Sequence, residues 1–271
     1  MKQRIVTAVV LFPIAVAAVL LLPTPWMMTL IAAVMLAGLW EWGRLSGLGD
    51  RTLRAAWLAA HAAVMAWLAW YGWPDLFPWI ALIGALWWLL AALWLGHYEF
   101  ASRPGRRNRA LKLGAGTLAG IPAWAGFALL HGDGALGPRW ALLACAIVWA
   151  ADMSAFFAGR QFGGPKLAPR VSPNKTWSGL AGGLAGALLL GIAVMPLLQV
   201  PWGQIGTMLL LVLATTLASV VGDLFESLIK RHSGAKDSGV MVPGHGGMLD
   251  RIDSTLAALA VFAVGKAWLD L

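Results

Sequence analysis

The sequence predicts an all-α, polytopic membrane protein with about nine transmembrane helices. Apolar residues make up 60% of its 271 residues, charged residues make up 12%, and the mean hydropathy is +0.75. Too few polar side chains are present to cover a water-soluble core of this size. The apolar residues form continuous rather than alternating runs, which indicates helices, because a helix satisfies its own backbone hydrogen bonds in lipid.

Nine runs approach the roughly 20 residues that a helix needs to cross about 30 Å of hydrocarbon. They are Ile5–Leu22, Trp26–Trp42, Ala55–Tyr71, Leu76–Leu95, Leu113–Leu130, Trp140–Phe157, Leu180–Leu198, Ile205–Ile229 and Ile252–Leu269. Because the connections are short, we expect one integrated membrane domain. Residues 1–135 would form a scaffold for dimerisation or lipid access, and residues 136–271 would carry the chemistry. The glycine-rich seventh run fits a homodimer and packing within the chain equally well.

The distribution of Lys and Arg predicts the orientation. With the N-terminus in the cytosol and the C-terminus in the periplasm, all but two of the 20 basic residues, Arg139 and Lys266, lie on the cytosolic side. The net charge of +8 therefore reflects topology and does not indicate nucleic-acid binding. We expect a multi-pass protein of the bacterial inner membrane surrounded by membrane lipids, although an organellar membrane stays open.

The first polar region runs from Asp152 to Gly179. Its glycines and prolines interrupt the helix, and it carries Lys175 among several basic residues but no acid after Asp152. A basic, glycine-rich loop that leads into a helix can bind phosphate, yet an ordinary positive-inside loop has the same composition. Asp152 lies at the end of an apolar run, where a carboxylate is costly, so a functional role is weighed there against a structural pair with Arg160.

The second polar region, Gly222 to Ser254, holds five of the twelve acidic residues. These are Asp223, Glu226, Asp237, Asp250 and Asp253, interleaved with Lys230, Arg231, Lys236 and Arg251. Carboxylates on two helices beside basic groups favour a hard divalent cation, Mg²⁺, with the phosphates that it neutralises. Zinc is disfavoured because the chain has a single cysteine and its histidines lack ligand spacing. A salt-bridge network between the two helices is the structural alternative.

The second region also carries a resemblance. Its segment S-L-I-K-R-H-S-G-A-K-D-S-G-V-M-V-P-G-H-G-G-M-L-D-R-I-D, Ser227 to Asp253, closely resembles the signature of the phosphatidate cytidylyltransferases. The segments D-M-S-A-F-F-A-G-R and K-L-A-P-R-V-S-P-N-K-T-W resemble that family's other polar loop. The resemblance covers roughly residues 152–253 and is only architectural before them. Ser178 stands where many relatives place an acid.

The resemblance implies that phosphatidate attacks the α-phosphorus of CTP, giving CDP-diacylglycerol and pyrophosphate. It implies Mg²⁺ as cofactor and leaves a second, monovalent cation open. Asp223 and Asp250 are the first choices as metal ligands, followed by Asp253 and Asp237. The candidates for phosphate or headgroup contacts are the basic and polar residues Lys230, Arg231, Lys236, Arg251, His245, Lys175, Ser172 and Ser227. Together the expected catalytic residues are Asp223, Asp250, Lys236 and Asp237, with Asp152 and Glu226 in secondary roles.

Two rival functions remain at this point. A transporter of an anionic solute would also place charges within helices, but it should show helices interrupted near the bilayer midplane, often in repeated halves, and no such repeat is found. A cytidylyltransferase acting on another lipid phosphate would share every feature above. Comparing lipid phosphates as substrates separates a phosphatidate cytidylyltransferase from one that acts on another lipid phosphate.

Overall fold

The computed structural model describes residues 2–71, 75–242, 244 and 246–271, with side chains from residue 12 onward. Nine α-helices account for most of this part of the chain. They are α1 (Lys2–Leu21), α2 (Thr24–Leu45), α3 (Arg51–Trp70), α4 (Leu76–Leu95), α5 (Arg106–His131), α6 (Gly137–Phe162), α7 (Trp177–Val194), α8 (Ile205–His232) and α9 (Leu249–Trp268). Each coincides with one of the nine predicted apolar runs, so the all-α prediction is confirmed.

Seven of the described helical segments are long and apolar enough to cross a membrane. They include α2 to α8, while α1 contributes the shorter apolar stretch Phe12–Leu21 and α9 opens with charged residues. Large apolar side chains such as Leu89, Leu93 and Phe157 are exposed on the outer faces of the helices. A helix surface of this kind suits contact with lipid rather than water.

The first polar region differs from the prediction of an irregular loop. It contains a short hairpin of β1 (Lys166–Ala168) and β2 (Ser172–Thr176), paired antiparallel with Lys166 opposite Thr176. The propensity signal is weak because β2 contains Pro173, which is tolerated in a two-stranded ribbon with free edges. Tertiary contacts supply the order instead, since Val171 at the turn is buried and its carbonyl accepts a hydrogen bond from Arg231 of α8 at 3.1 Å.

Small residues bring the helices close together. α9 packs against α8 and also against α4 and α5, so the last helix is surrounded by both halves of the chain. A Cβ atom on Gly126 of α5 would lie 2.7 Å from the carbonyl oxygen of Leu259 in α9. Only glycine allows two backbones to approach this closely. The contact therefore fixes the position of α9 relative to its neighbouring helices.

Four of the five glycines of α7 face α6 within the same chain, and Gly191 faces Val212 of α8. A Cβ atom on Gly182 would collide with Ala158, and one on Gly186 would collide with Ser154. Packing inside the chain therefore accounts for the glycine-rich seventh run. The contact also fixes α7, and the hairpin before it, against the helix that carries Asp152.

An aromatic cluster lies beneath the polar end of α8. The fully buried ring of Phe225 has its centroid 5.3 to 6.2 Å from the rings of four tryptophans. These are Trp42, Trp87, Trp88 and Trp94. Because Phe225 lies between Asp223 and Glu226 in the chain, the cluster anchors the turn of α8 that presents these two carboxylates.

Candidate active site

Lys230 joins the ends of α8 and α9. Its Nζ lies 2.5 Å from Glu226 Oε2, one turn back on α8, and 2.8 Å from Asp250 Oδ1 at the start of α9. The pair of Glu226 with Lys230 is not a surface pair, because the Glu226 side chain is only 1% exposed. One ammonium group thus pairs with two buried carboxylates from different helices.

Asp250 also holds the link between α8 and α9. Its Oδ2 accepts hydrogen bonds from the backbone N–H of Gly247 at 2.9 Å and of Ser238 at 3.0 Å. Asp250 precedes the apolar part of α9. Burial alone would raise the pKa of its carboxyl, but the hydrogen bonds from Lys230, Gly247 and Ser238 outweigh burial and hold that pKa below its ordinary value. Asp250 is therefore a stable anion near neutral pH.

Asp223 lies one turn before Glu226 and forms an ion pair with Lys175 of β2. The hydroxyl of Ser227 donates to Asp223 Oδ1 at 3.4 Å, as expected for residues on the same face of α8. Both members of the ion pair are partly accessible, with about a quarter of each side chain exposed. The hairpin thus delivers a basic group to the helix that carries the acidic residues, joining the two polar regions into one site.

Asp152 and Asp253 complete a carboxylate cluster around Asp223. The charge of Asp223 acts on Asp152 of α6 and on Asp253 of α9, and Lys175 acts on both as well. Arg251, exposed at the start of α9, is a further charged neighbour of Asp152. Three helices therefore direct carboxylates to one region, where their like charges favour the binding of a cation or a proton.

The donor set of this cluster fits a hard divalent cation, because carboxylate oxygens are the ligands that Mg²⁺ prefers and one or two suffice when phosphates supply the rest. Among residues 2–71, 75–242, 244 and 246–271, however, no three metal-binding side chains are already arranged around a single position. Instead, two of the predicted ligands each pair with an ammonium group. Lys175 pairs with Asp223, and Lys230 pairs with Asp250.

A groove of about 520 Å³ opens beside the cluster between α6, α7 and the hairpin. Its polar end carries Asp152, Arg160 and Lys175, and the remainder is mostly small and apolar. Asp152 is exposed here, so the carboxylate noticed in an apolar run faces a cavity rather than lipid alone. A groove with an apolar body and a charged end suits an amphipathic ligand.

The other predicted residues that the structure describes lie outside the ion pairs of Lys175 and Lys230. Arg231 donates to the carbonyl of Val171 and so holds the hairpin, while Ser172 lies within β2. Lys236 and Asp237 are exposed in the link before Ser238, and the ion pairs found among the described residues involve neither. His245 lies outside the described residues.

Ser178, at the position where relatives have an acid, donates a hydrogen bond to the carbonyl of Gly163. The hydroxyl therefore ties the start of α7 to the loop that follows α6. Its role here is to hold backbone in place, which a neutral side chain performs well.

Sequence reasoning missed Glu41 of α2. This buried carboxylate accepts hydrogen bonds from the Ser238 hydroxyl and from the backbone N–H of Leu249, and Arg44 donates to the Ser238 carbonyl. A signal was present, because Glu41 lies inside the predicted run Trp26–Trp42, where a carboxylate is as costly as at Asp152.

Comparison with known proteins decides the family. A family model described as the cytidylyltransferase family matches residues 2–267. A phosphatidate cytidylyltransferase of Pseudomonas aeruginosa is 44% identical over 264 residues, which cover 97% of this chain and 96% of the relative. This chain belongs to the phosphatidate cytidylyltransferase family. The match extends through the first 150 residues, where the sequence motifs alone had indicated only a shared architecture.

Two other relatives agree with this membership. A phosphatidate cytidylyltransferase of Haemophilus influenzae is 37% identical over 282 residues and covers 97% of each chain. One of Bacillus subtilis is 44% identical over 120 residues, which cover 44% of each chain. The family therefore includes relatives that match nearly the whole chain and others that match only part of it.

Proposed function

We propose that this protein transfers the cytidylyl group of CTP to phosphatidate. In this reaction a phosphate oxygen of phosphatidate forms a bond to the α-phosphorus of CTP, the bond from that phosphorus to the bridging oxygen breaks, and pyrophosphate leaves. The observation that carries the proposal is the cluster of Asp152, Asp223, Asp253 and Lys175, of which Asp152 and Lys175 also line an apolar groove. The 44% identity to a phosphatidate cytidylyltransferase over nearly the whole chain supports it.

Charge neutralisation is the main demand of this chemistry. Phosphoryl transfer needs positioning and cations around the phosphoryl oxygens more than a strong base, and the phosphate monoester is already an anionic nucleophile near neutral pH. Lys175, Lys230 and Arg251 are the basic groups nearest to the carboxylates. We assign them to the phosphates of the two substrates.

Asp223 and Asp253, with Asp250 from the other side of the site, would hold Mg²⁺. Bound there, Mg²⁺ would neutralise charge on the phosphates of CTP. Lys175 and Lys230 now pair with two of these carboxylates, and both would be free to turn toward phosphate oxygens when the carboxylates bind the cation. In this exchange of partners, Asp223 and Asp250 would face a cation both before and after substrate binding.

The groove between α6 and α7 would receive the lipid. Its apolar body suits acyl chains, and Arg160 and Lys175 at the charged end suit a phosphate headgroup. CTP would reach the same end from water. Most basic residues lie on this side, which supports a cytosolic site, a cytosolic N-terminus and a multi-pass location in the bacterial inner membrane. Contacts of α9 with α4 and α5 support a single integrated domain.

A reconstituted assay tests the reaction. Purified protein is mixed with CTP, Mg²⁺ and detergent-dispersed phosphatidate, and pyrophosphate release and CDP-diacylglycerol are both measured. Parallel reactions replace phosphatidate with another lipid phosphate or omit the lipid. We expect both products only with phosphatidate and Mg²⁺. Faster turnover of the other lipid phosphate would instead support the alternative substrate, and no pyrophosphate release with any lipid would refute the proposed function.

A further inference from the structure

Glu41 connects the N-terminal half of the chain to the site. Its side chain is buried in α2 and only 4% of the residue is exposed. Its Oε2 atom accepts a hydrogen bond from Ser238 Oγ at 2.8 Å and another from the backbone N–H of Leu249 at 2.9 Å. Ser238 lies within the link between α8 and α9 and Leu249 is the first residue of α9, so a single carboxylate oxygen joins the link to the start of α9.

Ser238 passes this constraint on to Asp250. Its backbone N–H donates to both carboxylate oxygens of Asp250, at 3.0 and 3.2 Å, and its Oγ accepts from the Asp250 backbone N–H at 3.2 Å. Asp250 in turn holds Lys230 at 2.8 Å. A continuous path of hydrogen bonds therefore runs from Glu41 through Ser238 and Asp250 to Lys230.

The fit around Glu41 leaves no spare room. A Cβ atom on Gly239 would overlap Glu41 Oε1, and one on Gly247 would overlap both Ser238 Oγ and Glu41 Oε2. Arg44, one turn further along α2, donates to the Ser238 carbonyl. The link is therefore in contact with α2 both at Ser238 and Gly239 and at Gly247, which packs the Glu41 carboxylate closely on both oxygens.

We infer that Glu41 is a positioning residue for the cytidylyl transfer. It touches none of the reacting groups, and it sets the orientation of Asp250 and Lys230 by clamping the link through Ser238. This inference rests on the proposed function. It also assigns a specific role to the N-terminal half, which closes the site from the α2 side rather than serving only as a membrane scaffold.

A double-mutant cycle tests the inference. Glu41→Ala and Ser238→Ala each remove one side of the same hydrogen bond, so each should lower kcat by about tenfold or more. Because both substitutions break the same path of hydrogen bonds, the kcat of the double variant should lie no more than about twofold below the lower kcat of the two single variants. Multiplied effects in the double variant, or a Glu41→Ala enzyme with wild-type kcat, would overturn the inference.

Two further variants separate positioning from general stability. Glu41→Gln keeps an oxygen that can accept both hydrogen bonds, so it should restore most of the kcat lost in Glu41→Ala. His131→Ala is the matched control, because His131 is equally buried and bonds the Val19 carbonyl at 2.9 Å in another part of the bundle. It should lower the melting temperature without lowering kcat. A similar loss of kcat in His131→Ala would mean that Glu41 acts only through stability.

The outcomes remain distinct from failure of the proposed function. That function fails if wild-type protein releases no pyrophosphate, whereas the inference is judged only on the ratios between active wild-type protein and its variants. Folding of each variant is checked by size-exclusion profile and tryptophan fluorescence. Where Glu41→Ala does not fold, Ser238→Ala against Glu41→Gln, which keeps an acceptor oxygen without added volume, gives the same comparison, and equal kcat in these two variants would contradict the clamp.

Discussion

A Cβ atom on Gly222 would lie 2.6 Å from the carbonyl oxygen of Asp253. α8 and α9 therefore meet backbone to backbone one residue before Asp223. The separation of Asp223 and Asp253 depends on this contact, because any larger residue at position 222 would move one helix away from the other.

We predict that Gly222→Ala abolishes most activity. The added methyl group overpacks the contact, which typically costs about 1 to 3 kcal/mol and shifts the backbone. Gly206→Ala is the matched control on the same helix, since a Cβ atom there meets nothing within 4 Å. Pyrophosphate release and the melting temperature of both variants check the prediction, and equal activity of Gly222→Ala and Gly206→Ala would contradict it.

Lys230→Met should destabilise the protein strongly. It leaves Glu226 and Asp250 buried without their shared cation, and breaking a buried pair in this way costs about 3 to 5 kcal/mol. The melting temperature of the purified variant measures the loss. Lys236→Met, at an exposed position in the neighbouring link, should leave the melting temperature unchanged.

A second substitution distinguishes the structural from the functional part of Lys230. Lys230→Met with Glu226→Gln removes one of the two uncompensated charges, so the melting temperature should recover in part. Activity should not recover, because the basic group assigned to phosphate remains absent. Recovery of activity together with stability would show that Lys230 has no role with the substrates.

Thr176→Ala should loosen the start of α7. The Thr176 hydroxyl accepts a hydrogen bond from the Gly179 N–H at 3.1 Å, and loss of such a cap costs about 1 kcal/mol. Because Lys175, which we assign to substrate phosphates, directly precedes Thr176, we also expect a higher KM for CTP. Thr176→Ser keeps the cap and should behave as wild type. A Thr176→Ala enzyme with unchanged melting temperature and KM would show that the cap is dispensable.

Helix positions were largely predictable from the sequence, because the solvent for this chain is lipid and apolar length alone marks a helix that can cross it. The fourth predicted run and α4 coincide at Leu76–Leu95. That the facing ends of α8 and α9 bring basic and acidic groups together was also predictable, since Lys230 and Asp250 lie on either side of one link. Local pattern was sufficient in each case.

The remaining features depend on contacts between distant parts of the chain. The β1–β2 hairpin has little strand propensity and is ordered by contacts such as that of Arg231 with Val171, 60 positions apart. Nothing in the sequence indicated this structural contact of Arg231, whose predicted contact with phosphate stays a prediction. Glu41 contacts Ser238, which lies 197 positions away in the chain. The presence of a carboxylate in the apolar run of α2 gave no indication of this partner.

In the proposed mechanism, carboxylates of α8 and α9 bind a divalent cation together with CTP. The most direct test is the binding of Mn²⁺, as a paramagnetic substitute for Mg²⁺, to purified protein with CTP in wild type, Asp223→Asn and Asp270→Asn. Asp270 is exposed near the C-terminus and serves as the matched control. We expect Asp223→Asn to weaken binding by at least about tenfold, the lower end of the effect of losing a supporting group at a metal site, and Asp270→Asn to bind as wild type. Equal Mn²⁺ affinity in all three proteins would contradict the claim.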